Sequence, residues 1–263
     1  MFDESGRINY GLTKTNCIWL ALIPQSAPAV PCASAIAPDT YALAADGLFS
    51  SGGTCYAIYS NGSTINCQHH IVISQNGGTF AYFKNSMDGK VENCYLLGFT
   101  EPIVALNSSV QILNNTIYVN TSNDIYAVGA FAINITDVQG NPYSEGSSVD
   151  YNNVSTTVNG IILNGTVDSY ILHNFVKSPY TAYAVYNSTG LTVSDNNASN
   201  SSSLGMEIAN SQSTSLGGNR LVGRSGLICI GIANTVNSNT DLGQNECTSN
   251  QGCSWIASSK STC

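Results

Sequence analysis

The chain has 263 residues, of which only 9% are charged, against roughly 25% in an ordinary soluble domain. Its net charge is −8, and its eight Lys and Arg residues occur singly. It therefore offers no basic patch for nucleic acid or for an anionic membrane surface, and we expect neither a nucleic-acid partner nor membrane insertion.

Residues 1–45 do not fit the repeat that follows and are predicted to form an N-terminal arm or cap. Residues 24–38 are rich in Pro and Ala, and Pro cannot pair within a central strand. The apolar run at residues 18–23 is too short to span a bilayer, and no signal peptide is recognisable, so we expect a mature chain without its targeting segment. The run could cover the open end of the following domain, or it could be donated to a neighbouring molecule.

Residues 46–263 are predicted to form one repetitive domain. A short pattern, Val149-x-x-Asn152-x-Val154, returns 22 residues later as Ile171-x-x-Asn174-x-Val176. A period of about 20 to 25 residues is the signature of a solenoid. Alternating apolar residues in each period predict strands, and Asn, Gly and Ser clusters predict turns. The predicted fold is therefore all-β, a single-stranded parallel β-helix of about eight coils.

The recurring Asn is predicted to form an internal ladder. Asn accepts left-handed backbone angles at a bend, and its amide can bond to the Asn above and below. The alternative is a set of turn Asn residues without stacking, because Asn is common in turns. The column comprises Asn93, Asn115, Asn152, Asn174, Asn196, Asn219 and Asn245.

Ten Asn-x-Ser/Thr sequons predict N-glycosylation and favour an extracellular location. They are Asn61, Asn107, Asn114, Asn120, Asn134, Asn153, Asn164, Asn187, Asn197 and Asn200. None of the ladder Asn residues is a sequon, whereas four members of a second apparent column are. A single glycan-bearing ridge is therefore predicted along that second column, which comprises Asn107, Asn134, Asn164, Asn187, Asn210 and Asn234.

The interval between Asn115 and Asn152 is longer than the other Asn-to-Asn steps. Its extra residues are predicted to form a loop near residues 138–148, where Gly140, Pro142 and Gly146 cluster. The repeat resumes in register after this insertion.

Nine Cys residues cluster toward the two ends of the chain and favour an oxidising compartment. We expect disulfides to staple both ends of the solenoid, and the odd number leaves at least one thiol free or bonded to another chain. The candidates are Cys17, Cys32, Cys55, Cys67, Cys94, Cys229, Cys247, Cys253 and Cys263. No Cys-x-x-Cys pair occurs, and His69, His70 and His173 do not flank the Cys residues suitably, so neither a metal site nor a cofactor is expected.

Three blocks near the start resemble the opening of right-handed parallel β-helix repeat proteins of the pectate-lyase-like superfamily, of the secreted surface-protein type. They are Asp39-Thr-Tyr-Ala-Leu-Ala-Ala-Asp46, Gly53-Thr-Cys55-Tyr-Ala-Ile58 and Ser63-Thr-Ile-Asn-Cys67-Gln-His-His-Ile71. Asn66 stands where that family usually has Asp. The resemblance covers roughly residues 39–247 and implies a right-handed coil. It leaves function open, because the superfamily contains polysaccharide lyases and hydrolases, carbohydrate-binding surface proteins and fibres.

The distribution of charged residues argues against catalysis. A glycoside hydrolase needs two or three converging carboxylates, and a lyase needs a basic residue beside a Ca²⁺ cluster of acids. The acids of the repeat do not share one column, and the basic residues lack an acidic cluster, so we predict no catalytic residue and no enzyme. The acids are Asp150, Asp168, Asp195, Glu207 and Asp241, and the basic residues are Lys177, Arg220 and Arg224.

We therefore expect an extracellular structural glycoprotein, secreted to the cell surface, that assembles with itself end to end into a filament or coat. The N-terminal arm is one candidate contact, and covalent N-glycans are the other expected partners. The alternative function is a carbohydrate-binding or carbohydrate-cleaving β-helix. Exposed Tyr180, Tyr183 and Tyr186 would support it, although Tyr at this spacing more often packs in a core.

Overall fold

The computed structural model describes residues 28–35, 37–119, 131–137, 145–157, 159–201, 204–223, 228–233 and 239–248. Regular structure in these ranges consists of 27 β-strands, arranged in three parallel sheets of nine strands each. The predicted all-β, parallel β-helix architecture is therefore confirmed.

Sheet 1 begins each coil. Its strands are β1 (Ala33–Ala35), β4 (Thr54–Ile58), β7 (Thr79–Lys84), β10 (Ile103–Leu106), β13 (Phe131–Thr136), β16 (Asn159–Asn164), β19 (Tyr183–Tyr186), β22 (Leu204–Ala209) and β25 (Ile228–Ala233).

Sheet 2 follows sheet 1 along the chain in every coil. Its strands are β2 (Thr40–Ala42), β5 (Thr64–Asn66), β8 (Gly89–Glu92), β11 (Val110–Leu113), β14 (Ser148–Asp150), β17 (Tyr170–Leu172), β20 (Thr192–Ser194), β23 (Ser215–Gly217) and β26 (Thr240–Gly243).

Sheet 3 completes each coil. Its strands are β3 (Gly47–Phe49), β6 (Ile71–Ser74), β9 (Tyr95–Leu97), β12 (Thr116–Val119), β15 (Asn153–Thr156), β18 (Phe175–Lys177), β21 (Asn197–Ser201), β24 (Arg220–Gly223) and β27 (Glu246–Thr248).

Each strand pairs with the strand three places later in the chain, so three consecutive strands make one coil and the next coil stacks on it. Coil 1 comprises β1–β3 and coil 9 comprises β25–β27, where about eight coils were expected. The chain advances by one strand spacing per coil, about 4.8 Å.

The hydrophobic core runs along the rod as columns of inward side chains. In sheet 2, Ile112, Val149, Ile171 and Val193 lie at one register position, and none of them is exposed. The residues directly before and after them on each strand face the surface, because successive side chains of a strand point to opposite faces. Because each coil supplies the same positions, the core lengthens with the rod and does not widen.

Coil 1 includes part of the segment that was predicted as an arm or cap. β1 and β2 lie within residues 1–45, and each is the edge strand of its sheet. Residues 1–27 and residue 36 of that segment, including the apolar run at 18–23, lie outside the described residues.

Two disulfides join successive coils at this end of the rod. Cys32 bonds to Cys55, with their Cα atoms 4.5 Å apart, and Cys67 bonds to Cys94, with their Cα atoms 4.8 Å apart. Disulfides persist in oxidising compartments, which agrees with the expectation from the Cys count. The candidates Cys17, Cys253 and Cys263 lie outside the described residues, as do the side chains of Cys229 and Cys247.

The extra residues between Asn115 and Asn152 are divided between two connections. One connection joins β12 to β13 and contains residues 120–130, and the other joins β13 to β14 and contains residues 138–144. The predicted loop near 138–148 corresponds to the second connection only. The two strands β13 and β14 retain their pairing with the coils on both sides.

Replacing Ile171 with Ala should destabilise the protein by about 2–5 kcal/mol, because Ile171 is fully buried and its neighbours cannot collapse into the cavity. The matched control is Leu172→Ala on the same strand, whose side chain lies on the outer face and is half-buried. Guanidinium denaturation of the two variants measures the difference. Equal loss of stability in both would contradict the assigned inward and outward faces.

Candidate functional site

The most regular feature of the interior is a ladder of Asn side chains at the corner between sheets 2 and 3. The Nδ2 group of each member donates to the Oδ1 atom of the next, at distances of 2.9–3.1 Å. The first five members are buried, and the last is half-buried. The ladder comprises Asn115, Asn152, Asn174, Asn196, Asn219 and Asn245.

Each amide in the ladder also makes two bonds to the backbone of the preceding coil. Asn174 Oδ1 accepts the backbone N–H of Asn152 at 2.9 Å, and Asn174 Nδ2 donates to the carbonyl oxygen of Val149 at 2.8 Å. The same pair of contacts recurs along the column. A buried amide without partners would cost free energy, so these contacts are what make Asn acceptable inside the rod.

Asn93 was predicted to belong to this ladder, and that prediction is wrong. Cys94 occupies the ladder register in coil 3, and its backbone N–H donates to Asn115 Oδ1 at 3.0 Å. Asn93 precedes it with a φ of 55° and accepts a bond from Asn114 Nδ2 at 2.7 Å. The left-handed bend therefore lies one residue before the ladder, and the two positions are distinct columns.

A second buried polar column lies at the corner between sheets 1 and 2 and was not predicted. Backbone N–H groups donate to the hydroxyl of the next coil at 3.1 Å, from Ser86 to Ser108 and from Ser188 to Ser211. The sequence signal is an Asn or Gly followed by Ser or Thr, which occurs at this position in coils 3, 4, 6, 7 and 8. The members are Ser86, Ser108, Thr166, Ser188 and Ser211, all 0–1% exposed.

The second Asn column predicted from sequence is not one column. Asn107, Asn187 and Asn210 occupy left-handed bends that precede the buried Ser residues. Asn134 instead pairs within β13, and Asn164 ends β16. The residue of the preceding coil that aligns with Asn187 is Gly165 and not Asn164, so the predicted column was wrong by one residue at this coil. Asn234 lies outside the described residues.

The bends outside the Asn ladder form an outer column that brings titratable groups together. His173 Nδ1 lies 2.9 Å from Asp150 Oδ1, and His173 Nε2 lies 3.9 Å from Asp195 Oδ2. The ring of Tyr151 stacks on His173, with centroids 4.5 Å apart and planes 6° apart, and Tyr151 is 61% exposed. Because a carboxylate can only accept, Asp150 holds the His173 tautomer whose Nδ1 carries the proton.

Sequence reasoning missed this exposed corner, hereafter the His173 corner (Asp150, Tyr151, His173 and Asp195). The signal was present, because Tyr151, His173 and Asp195 each precede a ladder Asn directly. All three have left-handed φ angles between 49° and 54°, a conformation that His and Asp adopt more readily than a bulky residue such as Tyr. The described residues contain no group of three His, Cys, Asp or Glu side chains arranged to hold a metal ion.

The three Tyr residues named as a possible sugar-binding row have different environments. Tyr183 is fully buried, its hydroxyl lies 2.8 Å from the carbonyl oxygen of Asn174, and burial raises its pKa well above the usual value. Tyr186 donates to Glu207 Oε2 at 2.6 Å, and burial followed by this contact raises its pKa as well. Tyr180 is half exposed. They form no common aromatic platform.

Comparisons with family models, with curated proteins and with solved structures found no match to this chain. No helix within the described ranges is long and apolar enough to cross a membrane. The class of the protein, a disulfide-containing parallel β-helix, therefore stands on the strand order and the ladder geometry alone.

Replacing Asn174 with Ala should cost about 2–4 kcal/mol of unfolding free energy. The backbone N–H of Asn152 would lose its acceptor inside the rod, and the carbonyl oxygen of Val149 would lose the side-chain donor. The control is Asn153→Ala, an exposed strand position, which should change stability by less than about 0.5 kcal/mol. Both variants should be made in a host that does not N-glycosylate, and compared by guanidinium denaturation. A loss below 1 kcal/mol for Asn174→Ala would show that the ladder contributes little.

Proposed function

We propose that this protein is an extracellular structural glycoprotein that assembles with itself into a cell-surface filament or coat. The observation that carries the proposal is the continuous Asn ladder, which runs through six successive coils. Such an interior makes a rod of uniform cross-section, and uniformity along one axis is what a building unit needs. The resemblance of residues 39–71 to secreted β-helix proteins supports an extracellular location and does not distinguish between the functions found in that superfamily.

The two disulfides support secretion, because cytosolic thiols are normally kept reduced. The positions of the sequons support glycosylation. Every sequon Asn whose side chain is described is exposed or half-exposed, whereas five ladder Asn residues are buried. Glycans would also supply the solubility that a chain with 9% charged residues lacks.

The sequons point in several directions, so a single glycan ridge is not part of the proposal. Asn187 lies at the corner between sheets 1 and 2, Asn114 at the corner between sheets 2 and 3, and Asn153 on sheet 3. No outward position of sheet 2 carries a sequon. Glycans at these sites would surround the rod unevenly and leave sheet 2 uncovered.

Peptide mapping by mass spectrometry of protein from its native source should find glycans on exposed sequons of more than one face, including Asn153 and Asn187. Half-buried Asn134, inside β13, should be occupied less, because its side chain is partly shielded in sheet 1. Absence of glycans from all sequons would overturn the glycoprotein part of the proposal.

Self-assembly is supported by the ends of the rod. β1, β2 and β25–β27 are edge strands, and an edge strand presents backbone groups that can pair with another chain. β3 is already paired with residues 28–30 through Leu48. Contact between unlike ends of two rods is heterologous and builds an open filament when it does not close into a ring.

Electron microscopy of native material should show filaments or lattices in which rods meet at their ends. The axial repeat should be at least about 43 Å, which is nine coils at about 4.8 Å each. A monodisperse monomer would overturn self-assembly. If that monomer bound or cleaved polysaccharide, and Tyr151→Ala abolished this activity, the alternative carbohydrate function would replace the proposal.

That alternative is favoured by one observation, the exposed aromatic side chains around the His173 corner. Tyr151, Tyr170 and Phe175 are all at least 40% exposed, and sugar rings pack well against aromatic faces flanked by carboxylates. One face of the Tyr151 ring is already covered by His173, which limits the aromatic surface available to a ligand.

A further inference from the structure

The outer face of sheet 3 changes from apolar to polar halfway along the rod. One outward column reads Leu48, Ile73, Leu97 and Tyr118 through coils 1–4, and continues as Ser155, Lys177 and Ser199. The adjacent outward column contains Ile71, Tyr95 and Thr116 in coils 2–4 and sequons Asn153 and Asn197 in coils 5 and 7, with Phe175 between them as an apolar exception in the polar half. The apolar patch is defined as Leu48, Ile71, Ile73, Tyr95, Leu97 and Tyr118.

The apolar patch is not required to fill the interior. The strand neighbours Val72, Leu96 and Ile117 point inward and are 0–1% exposed, so the core below the patch is already complete. On the outside of the same strands Tyr95 is 39% exposed, Ile73 is 8% exposed and the other members of the patch are half-buried. A contiguous apolar area on the outside of a sheet marks a surface that something covers.

The chain enters the described structure beside this patch. Leu48 donates its backbone N–H to the carbonyl oxygen of Pro28 at 3.0 Å, and Val30 donates its N–H to the carbonyl oxygen of Leu48 at 3.0 Å. Ala29 forms a parallel bridge with Leu48. The chain that precedes Pro28 therefore arrives at the edge of sheet 3, next to the first residue of the patch.

The sequence upstream of this point contains one segment of matching chemistry. Residues 18–23 read Ile-Trp-Leu-Ala-Leu-Ile, without a polar side chain. Residues 24–27 connect this run to Pro28, and four residues reach at most about 14 Å. The patch extends over four strands, about 15 Å at the inter-strand spacing, so its nearer half lies within reach of the C-terminal end of the run, residue 23.

We propose that the apolar patch on sheet 3 is the docking surface for residues 18–23 of the same chain. The short connection holds this run at an effective concentration of order millimolar beside the patch, which a segment from another molecule does not enjoy. Docking in this way removes both the run and the patch from water. The proposal is independent of end-to-end assembly, because it concerns the side of the rod.

Site-specific photocrosslinking tests the proposal with a closely matched control. p-Benzoylphenylalanine replaces Tyr95 in one full-length variant and Phe175 in another. Both positions start a strand of sheet 3, share one outward column and are 39% and 40% exposed. We expect the probe at position 95, and not at position 175, to attach to a peptide containing residues 18–23, with the mass of the product remaining that of one chain.

Each other product of the probe at position 95 would overturn the proposal. A product of two chains joined through residues 18–23 would show that the occupant is a second copy. Attachment to residues 120–130, which follow β12, would make that connection the cover. No attachment within the chain would mean that the patch is open. If the crosslink forms within one chain but the protein shows no filaments or lattices by electron microscopy, the result would count against end-to-end assembly and not against docking.

A second pair of variants keeps the test valid if the probe disturbs folding. Leu97→Asp introduces a charge into the patch, and Ser155→Asp introduces one into the polar half of the same column. In a Trp255→Phe background, Trp19 is the only remaining Trp. Its fluorescence should be blue-shifted in the parent, red-shifted by Leu97→Asp and unchanged by Ser155→Asp. Equal spectra in all three proteins would overturn the proposal.

Discussion

The whole structure depends on residue-for-residue register between successive coils. A buried amide is tolerated in this rod because the preceding coil supplies a donor for its oxygen and the following coil supplies an acceptor for its NH₂ group, both at the matching register position. Asn152 illustrates this, since it bonds to Asn115 on one side and to Asn174 on the other. A shift of one residue in any coil would break those bonds and would also turn that coil's apolar side chains outward. The ladder and the core therefore enforce the same alignment.

The same alignment organises the surface. Left-handed bends recur just outside the ladder, and whatever side chain occupies them is carried to one line along the rod. In coils 5–7 that line brings Tyr151, His173 and Asp195 together, although they are separated by a whole coil of sequence. Outward columns are free to vary because they do not fill the core, as the change from Leu97 to Lys177 on sheet 3 shows. The residues that could bind a ligand or a partner segment therefore lie on the exterior of the rod, whereas the geometry of its interior is the same from coil to coil.

The period of the Asn pattern was sufficient to predict the parallel solenoid and most of the ladder. It was not sufficient to choose between Asn93 and Cys94, because they differ by one position and both lie near the correct period. The backbone bond from Cys94 to Asn115 decides that register. The predicted second Asn column failed for the same reason, since it mixed bend residues such as Asn187 with the strand residue Asn134.

The sequence by itself determined the repeat, the strands and the identity of six of the seven predicted ladder residues, because these follow from spacing along the chain. Tertiary structure alone decided which disulfides form at the N-terminal end, where the Ser column lies and which outward residues meet. The physical reason is that a contact between coils joins residues about 22 apart, and a one-residue difference moves a side chain from the inside of the rod to the outside. A periodic pattern cannot resolve that difference, whereas backbone hydrogen bonds do.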